Sequence, residues 1–360
     1  MVTIQKFKDR ILQSKRTKIY IATACVQGII IIALQSTIAY FNTLQLKKGL
    51  ATNQLQAYQL TSAEDDSIHH AFERFSHIKW ENFSFITFQL WFMCMSFDTI
   101  VSQNAVEIMA LMSLNVALSV FSALEVIDGK RWLTTLNDIK DRHGIPLDTT
   151  PIQTAFYVEI ALCAFVGTFG ILFSHFSIAV TREIGWVIYK KIGADLSVQR
   201  MYRTTQFYVL VLKIDIFTEF LVSVFYLLQY ALKSGFQTWI TYVFVVITIL
   251  MLPMLVFGRR VIANESKAQM ALFIFFQGCV VFQLILIAIE ASRSEDNWYI
   301  WFCFIALGLV IATMTILLAV LCQYNFDKGL KPFVQTGSSK KKEITLATKE
   351  LNKDWNIDED

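Results

Sequence analysis

Seven ionisable side chains lie inside stretches of sequence that are otherwise apolar: Asp98, Glu107, Glu159, His175, Lys213, Asp215 and Glu219. Placing such a group within hydrocarbon costs about 2.5–3.5 kcal/mol on insertion scales, so it normally faces a helix-bundle interior or a wet cavity. At 100° per residue, Asp215, Glu219, Tyr226 and Gln229 fall within about 80° of arc and form one polar stripe. Lys213 points to the other side of that helix, so its counter-charge must come from another helix or from snorkelling to the interface. Two kinds of chemistry fit the set Asp98, Glu107, His175, Lys213, Asp215, Glu219 and Gln229. One is a hydrated pocket for a substrate, ion or proton, centred on Asp215 and Glu219. The other is structural, polar groups bonding across helices for about 0.6 kcal/mol each, and it is the default expectation.

A second grouping, His70, Glu73 and His77, has spacing i, i+3, i+7 on the face opposite Ile68, Phe72 and Phe75. Zinc or manganese uses such ligands, but amphipathic helices carry this spacing routinely. It is a weak metal candidate beside the simpler reading of a solvated face on an interfacial helix. No metal or other cofactor is expected.

These residues need helices to hold them, and the composition says in which solvent. Of the 360 residues, 55% are hydrophobic and 17% charged, against about a quarter charged in soluble domains. A spanning helix needs about 20 mostly apolar residues, and eight stretches qualify, near 20–41, 82–101, 105–124, 154–180, 206–231, 239–257, 270–289 and 300–322. The expected fold is therefore all-α, a polytopic transmembrane helix bundle. It divides into a basic amphipathic segment (1–19), the bundle (20–322) and a flexible charged tail (323–360). The first apolar run is longer than a signal-peptide core and reads as a retained anchor. Pro253 should kink the sixth span.

With the N-terminus cytosolic, the cytosolic segments hold 21 basic residues and the opposite side 10. The positive-inside rule then sets both termini in the cytosol, and an even span count argues against a seven-span receptor. In this topology Asp98, Glu107, His175, Lys213 and Asp215 all lie toward the cytosolic half. The six cysteines sit within spans or at their ends, which implies no disulfide framework. Asn82 and Asn264 match the glycosylation pattern and are expected to be unused. The partners implied are the lipid bilayer, anionic lipid at the N-terminal basic segment, and cytosolic sorting or adaptor proteins at the tail. A net charge of +3 gives no sign of a nucleic-acid partner.

Phosphate-binding, dinucleotide, nucleophile-elbow and zinc-helix motifs are missing from the sequence, so an enzyme is not expected. Three segments do resemble a known family. They are Gln199-Arg200-Met201-Tyr202-Arg203-Thr204-Thr205-Gln206-Phe207 with Leu212-Lys213-Ile214-Asp215-Ile216-Phe217 and Gln229; Asn104-Ala105-Val106-Glu107; and Asn325-Phe326-Asp327-Lys328-Gly329-Leu330-Lys331. Together they resemble an uncharacterised family of fungal multi-pass Golgi apparatus membrane proteins, over most of the chain up to Lys331. The resemblance implies Golgi membrane residence and brings no activity or active site with it. The functional expectation is a non-enzymatic component of trafficking or membrane organisation acting through loops and tail. The alternative is a transporter or channel using the polar stripe of the fifth span.

Overall fold

The computed structural model describes residues 14–51, 62–143, 148–192, 196–227, 239–293, 299–326 and 328. Among them the regular structure is entirely helical: α1 (Lys15–Ala51), α2 (Ser62–Ser102), α3 (Ala105–His143), α4 (Thr150–Ile192), α5 (Leu196–Tyr226), α6 (Trp239–Asn264), α7 (Lys267–Arg293) and α8 (Tyr299–Tyr324). The polytopic helical bundle expected from composition is what forms. Many helices outrun the expected spans. The 41 residues of α2 rise about 60 Å, twice the hydrocarbon thickness. The expected interfacial segment around 68–75 is thus continuous with the second span. Helix α6 runs on through Pro253.

Seven helices carry segments long and apolar enough to cross a membrane: Lys15–Gln45, Trp80–Ser102, Ala105–Asp138, Thr150–Trp186, Thr241–Asn264, Lys267–Ser292 and Trp301–Tyr324. Their outward positions carry large apolar side chains such as Ile29, Val116, Ile171, Phe275 and Leu317. Outward hydroxyls are satisfied within their own helix. Thr37, Thr87, Thr168 and Thr313 each donate to the carbonyl four residues back at 2.8–2.9 Å, as a medium without water demands.

Helix α5 is the exception, because Lys213, Asp215 and Glu219 interrupt its apolar run. Yet it lies alongside the spans. Tyr208, Glu219 and Ser223 meet Met270, Gln277 and Gln283 of α7 in the same order along both helices, so α5 and α7 run parallel over that whole depth. Its side chains from Leu210 to Asp215 are all buried, as are Phe217 to Glu219 and Leu221 to Ser223. A helix walled in by its neighbours can carry charge across the bilayer that a lipid-facing helix cannot. This burial lets α5 carry the charges of the fifth expected span, outside the seven segments that are apolar enough by themselves.

The chain forms two compact units, residues 1–187 with 288–306 and residues 188–287 with 307–360. In the first, α1–α4 alternate in direction. Ile31, Ile38, Phe85, Leu118, Leu162 and Val166 make an apolar core, and the Phe173 ring packs, tilted, against Tyr20 at 4.8 Å and Phe92 at 5.2 Å. In the second, α5 meets α6 through Tyr226 and Phe244 at 5.5 Å, and α7 through Tyr208 and Phe273 at 6.1 Å. Gly258 of α6 makes room there, since a Cβ would stand 2.7 Å from the Phe273 ring.

Each unit has one two-residue helical hairpin. Gln103 (φ 54°) and Asn104 join α2 to α3, and Glu265 (φ 50°) and Ser266 join α6 to α7. One left-handed residue reverses the chain, and the next caps the new helix. Asn104 Oδ1 accepts from the Val106 N–H at 3.1 Å, satisfying an orphan donor of the first turn. These turns fix which residues of the paired helices share a level.

Candidate functional site

Helix α5 positions the centre of the expected stripe. Asp215 and Glu219 are one turn apart, so both project to the same side, and neither has any solvent exposure (0%). The Thr315 hydroxyl on α8 donates to Asp215 Oδ2, and the Gln277 amide on α7 donates to Glu219 Oε1. The two carboxyls are also close neighbours of each other. Asp215 Oδ1 and Glu219 Oε2 have no other donor. Two facing carboxylates do not keep full charge together, so the pair is suited to taking up a proton.

One turn further along, Gln283 Nε2 lies 3.3 Å from Thr248 Oγ1 and 3.5 Å from Ser223 Oγ. On the other side, the Tyr208 hydroxyl reaches Met270 Sδ at 3.9 Å. Measured along α7 from the Glu265 turn, these levels stand at about 8 Å (Met270), about 18 Å (Gln277) and about 27 Å (Gln283). The polar groups therefore stand at three levels in the second unit, about 19 Å from first to last. Its interior supplies groups able to accept and donate protons, the two carboxyls and the hydroxyls of Ser223, Thr248 and Thr315.

The other expected residues are not gathered there. Lys213 is buried on α5 and interacts with its surroundings. Tyr226 is half-buried, and Gln229 lies outside the described residues. Asp98, Glu107 and His175 belong to the first unit. Glu107 is buried in the first turn of α3, where the helix dipole favours an acid, and it accepts from Thr99 Oγ1 at 3.1 Å. Asp98 and His175 are exposed, with the His175 ring 5.6 Å from Phe176. The side chains of His70, Glu73 and His77 lie outside the described residues, although their backbone belongs to α2. Among the described residues, no three His, Cys, Asp or Glu side chains are grouped to hold a metal. All six cysteines are free, with Cys94 and Cys303 facing outward.

The first unit contains a polar cluster that the chosen set does not include. Glu81, Asn82, Glu125 and Glu159 are buried, as is Gln35 on α1. Gln35 Nε2 donates to Asn82 Oδ1 at 2.7 Å and to Glu125 Oε1 at 2.8 Å. The charged neighbours acting on Glu125 and Glu159 are Glu81, Asp128 and one another. Gly129 gives Glu159 its place, because a Cβ there would run into Glu159 Oε2. Glu81 and Glu125 stand equally far from Gln103 along the two arms of the hairpin, about 33 Å. That symmetry around the turn was the available signal, hidden by span edges drawn at 82 and 124. The burial of Asn82 also puts its glycosylation pattern out of reach.

No family model and no solved structure matches the chain. It is similar, at 25% identity over 273 residues, to the UPF0658 Golgi apparatus membrane protein C23H3.04 of Schizosaccharomyces pombe, covering 70% of this chain and 76% of that protein. This likeness and the long apolar helices support the expected uncharacterised family of Golgi membrane proteins.

Proposed function

We propose that this multi-pass protein of the Golgi apparatus membrane is a non-enzymatic transport protein. It moves protons, alone or with a coupled solute, through its second unit. One observation carries the reading: Asp215 and Glu219 are fully buried neighbouring acids, each with an oxygen lacking a donor, amid further polar groups of the same unit. Intramembrane acid chains of this kind serve as proton relays in pumps and transporters. Purely structural polar contacts in membranes are worth about 0.6 kcal/mol each, little return for two neighbouring carboxyls. The trafficking role expected from the sequence would act through loops and tail, and residues 337–360 of the tail lie outside the described residues.

The test uses the full chain in liposomes loaded with a pH-sensitive dye, with a pH gradient imposed and potassium plus valinomycin clamping the potential. Wild type is expected to dissipate the gradient faster than protein-free liposomes. Asp215→Asn and Glu219→Gln, shown to be assembled by size exclusion, are expected to fall to the protein-free rate. Deleting residues 337–360 leaves the flux intact. Wild-type flux at the protein-free rate, or variants as fast as wild type, sinks the proposal.

A further inference from the structure

The acidic cluster belongs to the first compact unit, and the proposed proton path to the second. This cluster gathers Glu81, Glu125, Asp128 and Glu159, and some of its buried acceptors have no donor. Gln35 is fully buried with its carboxamide set among the acids. Its Nε2 is spent on Asn82 and Glu125, while its Oε1 receives no donor. Glu125 Oε2 and Glu159 Oε2 likewise accept from nothing. Gln35 touches Glu125 through its Nε2 bond, and Glu159 Oε2 stands beside Gly129, one turn along α3 from Glu125; amide and carboxylate oxygens are hard ligands for a cation.

We propose that Glu125, Glu159 and the Gln35 carbonyl bind an inorganic divalent cation, with Glu81 and Asp128 adding attraction from the second rank. The acids do not close on one point at direct metal-ligand spacing, so the ion keeps part of its water shell, as magnesium commonly does. Entry is past Asp128, the half-buried member of the group. By its distance from the Gln103 turn the site lies at the far end of the unit, which the expected topology makes lumenal. The ion is then drawn from the compartment's interior. Gly129 belongs to the site in this reading, because the absence of a side chain there lets the Glu159 carboxylate reach the group.

The experiment is isothermal titration of the detergent-purified full chain with magnesium chloride and, separately, calcium chloride, against choline chloride at equal ionic strength. Wild type is expected to show saturable binding of at least one of the two ions. Glu125→Gln and Glu159→Gln are each expected to weaken it by about tenfold or more. Gly129→Ala keeps every charge and moves only the end of Glu159, and it too is expected to weaken binding, which keeps the test sound should a charge-removing variant fail to assemble. Heats no different from choline in wild type, or wild-type affinity in Gly129→Ala, overturn the proposal. The readout is equilibrium binding, so it stands or falls independently of proton flux.

Discussion

Gln27 and Asn115 trade two hydrogen bonds, Gln27 Nε2 to Asn115 Oδ1 at 2.7 Å and Asn115 Nδ2 to Gln27 Oε1 at 3.2 Å, and both residues are fully buried. Replacing one partner leaves the other's amide without company in an apolar interior. Replacing both with apolar side chains removes the debt along with the bonds. Gln27→Leu alone is thus expected to destabilise the protein by about 1 kcal/mol, while Gln27→Leu with Asn115→Leu recovers most of that loss. Thermal unfolding in detergent, followed by tryptophan fluorescence, measures both, and a double variant worse than the single rules the account out. Neither residue is charged, which is why attention to intramembrane charge passes over the pair. Glu219 attracts notice in the sequence at once, but Gln277, its partner, does not. Which neutral amide an acid meets is decided by packing between helices far apart in the chain.

Among the elements, the two-residue hairpins make the sharpest test of local chemistry. Gln103 takes a left-handed conformation (φ 54°) that costs an ordinary residue about 1 kcal/mol and glycine nothing. Asn104 caps α3 through its side chain, a contribution of about 1 kcal/mol. Gln103→Gly is therefore expected to raise the unfolding temperature and Asn104→Ala to lower it, although the two residues are adjacent. Shifts of the same sign would contradict the turn described. Seven of the helices are readable from runs of apolar residues alone, because lipid imposes length and polarity on every segment facing it. Helix α5 is harder to read, since its solvent is other protein. The cluster at Glu81 and Glu125 is hidden for a related reason: hydropathy locates the apolar middle of a helix but not where the helix ends, and α3 continues to His143.

At the scale of the molecule, both units follow one plan: four helices alternating in direction, a tight turn between the second and third, and a buried amide on the third helix at one depth past the turn. Asn115 follows Gln103 by the same interval as Gln277 follows Glu265. The topology expected from the sequence, with α5 counted, has an even number of crossings and both ends on one face. Single-cysteine labels introduced near each terminus, probed in sealed Golgi vesicles with an impermeant maleimide, are expected to react together or be protected together. Opposite behaviour would remove α5 from the crossings. The enclosure of α5 has a consequence for how the protein is made. A ribosome delivers α5 before α6, α7 and α8 exist, so at that moment its lysine and two acids have no wall around them and the translocon has no reason to release it into lipid. The second unit must therefore be held back and admitted as a group, with its most polar member synthesised first and committed last.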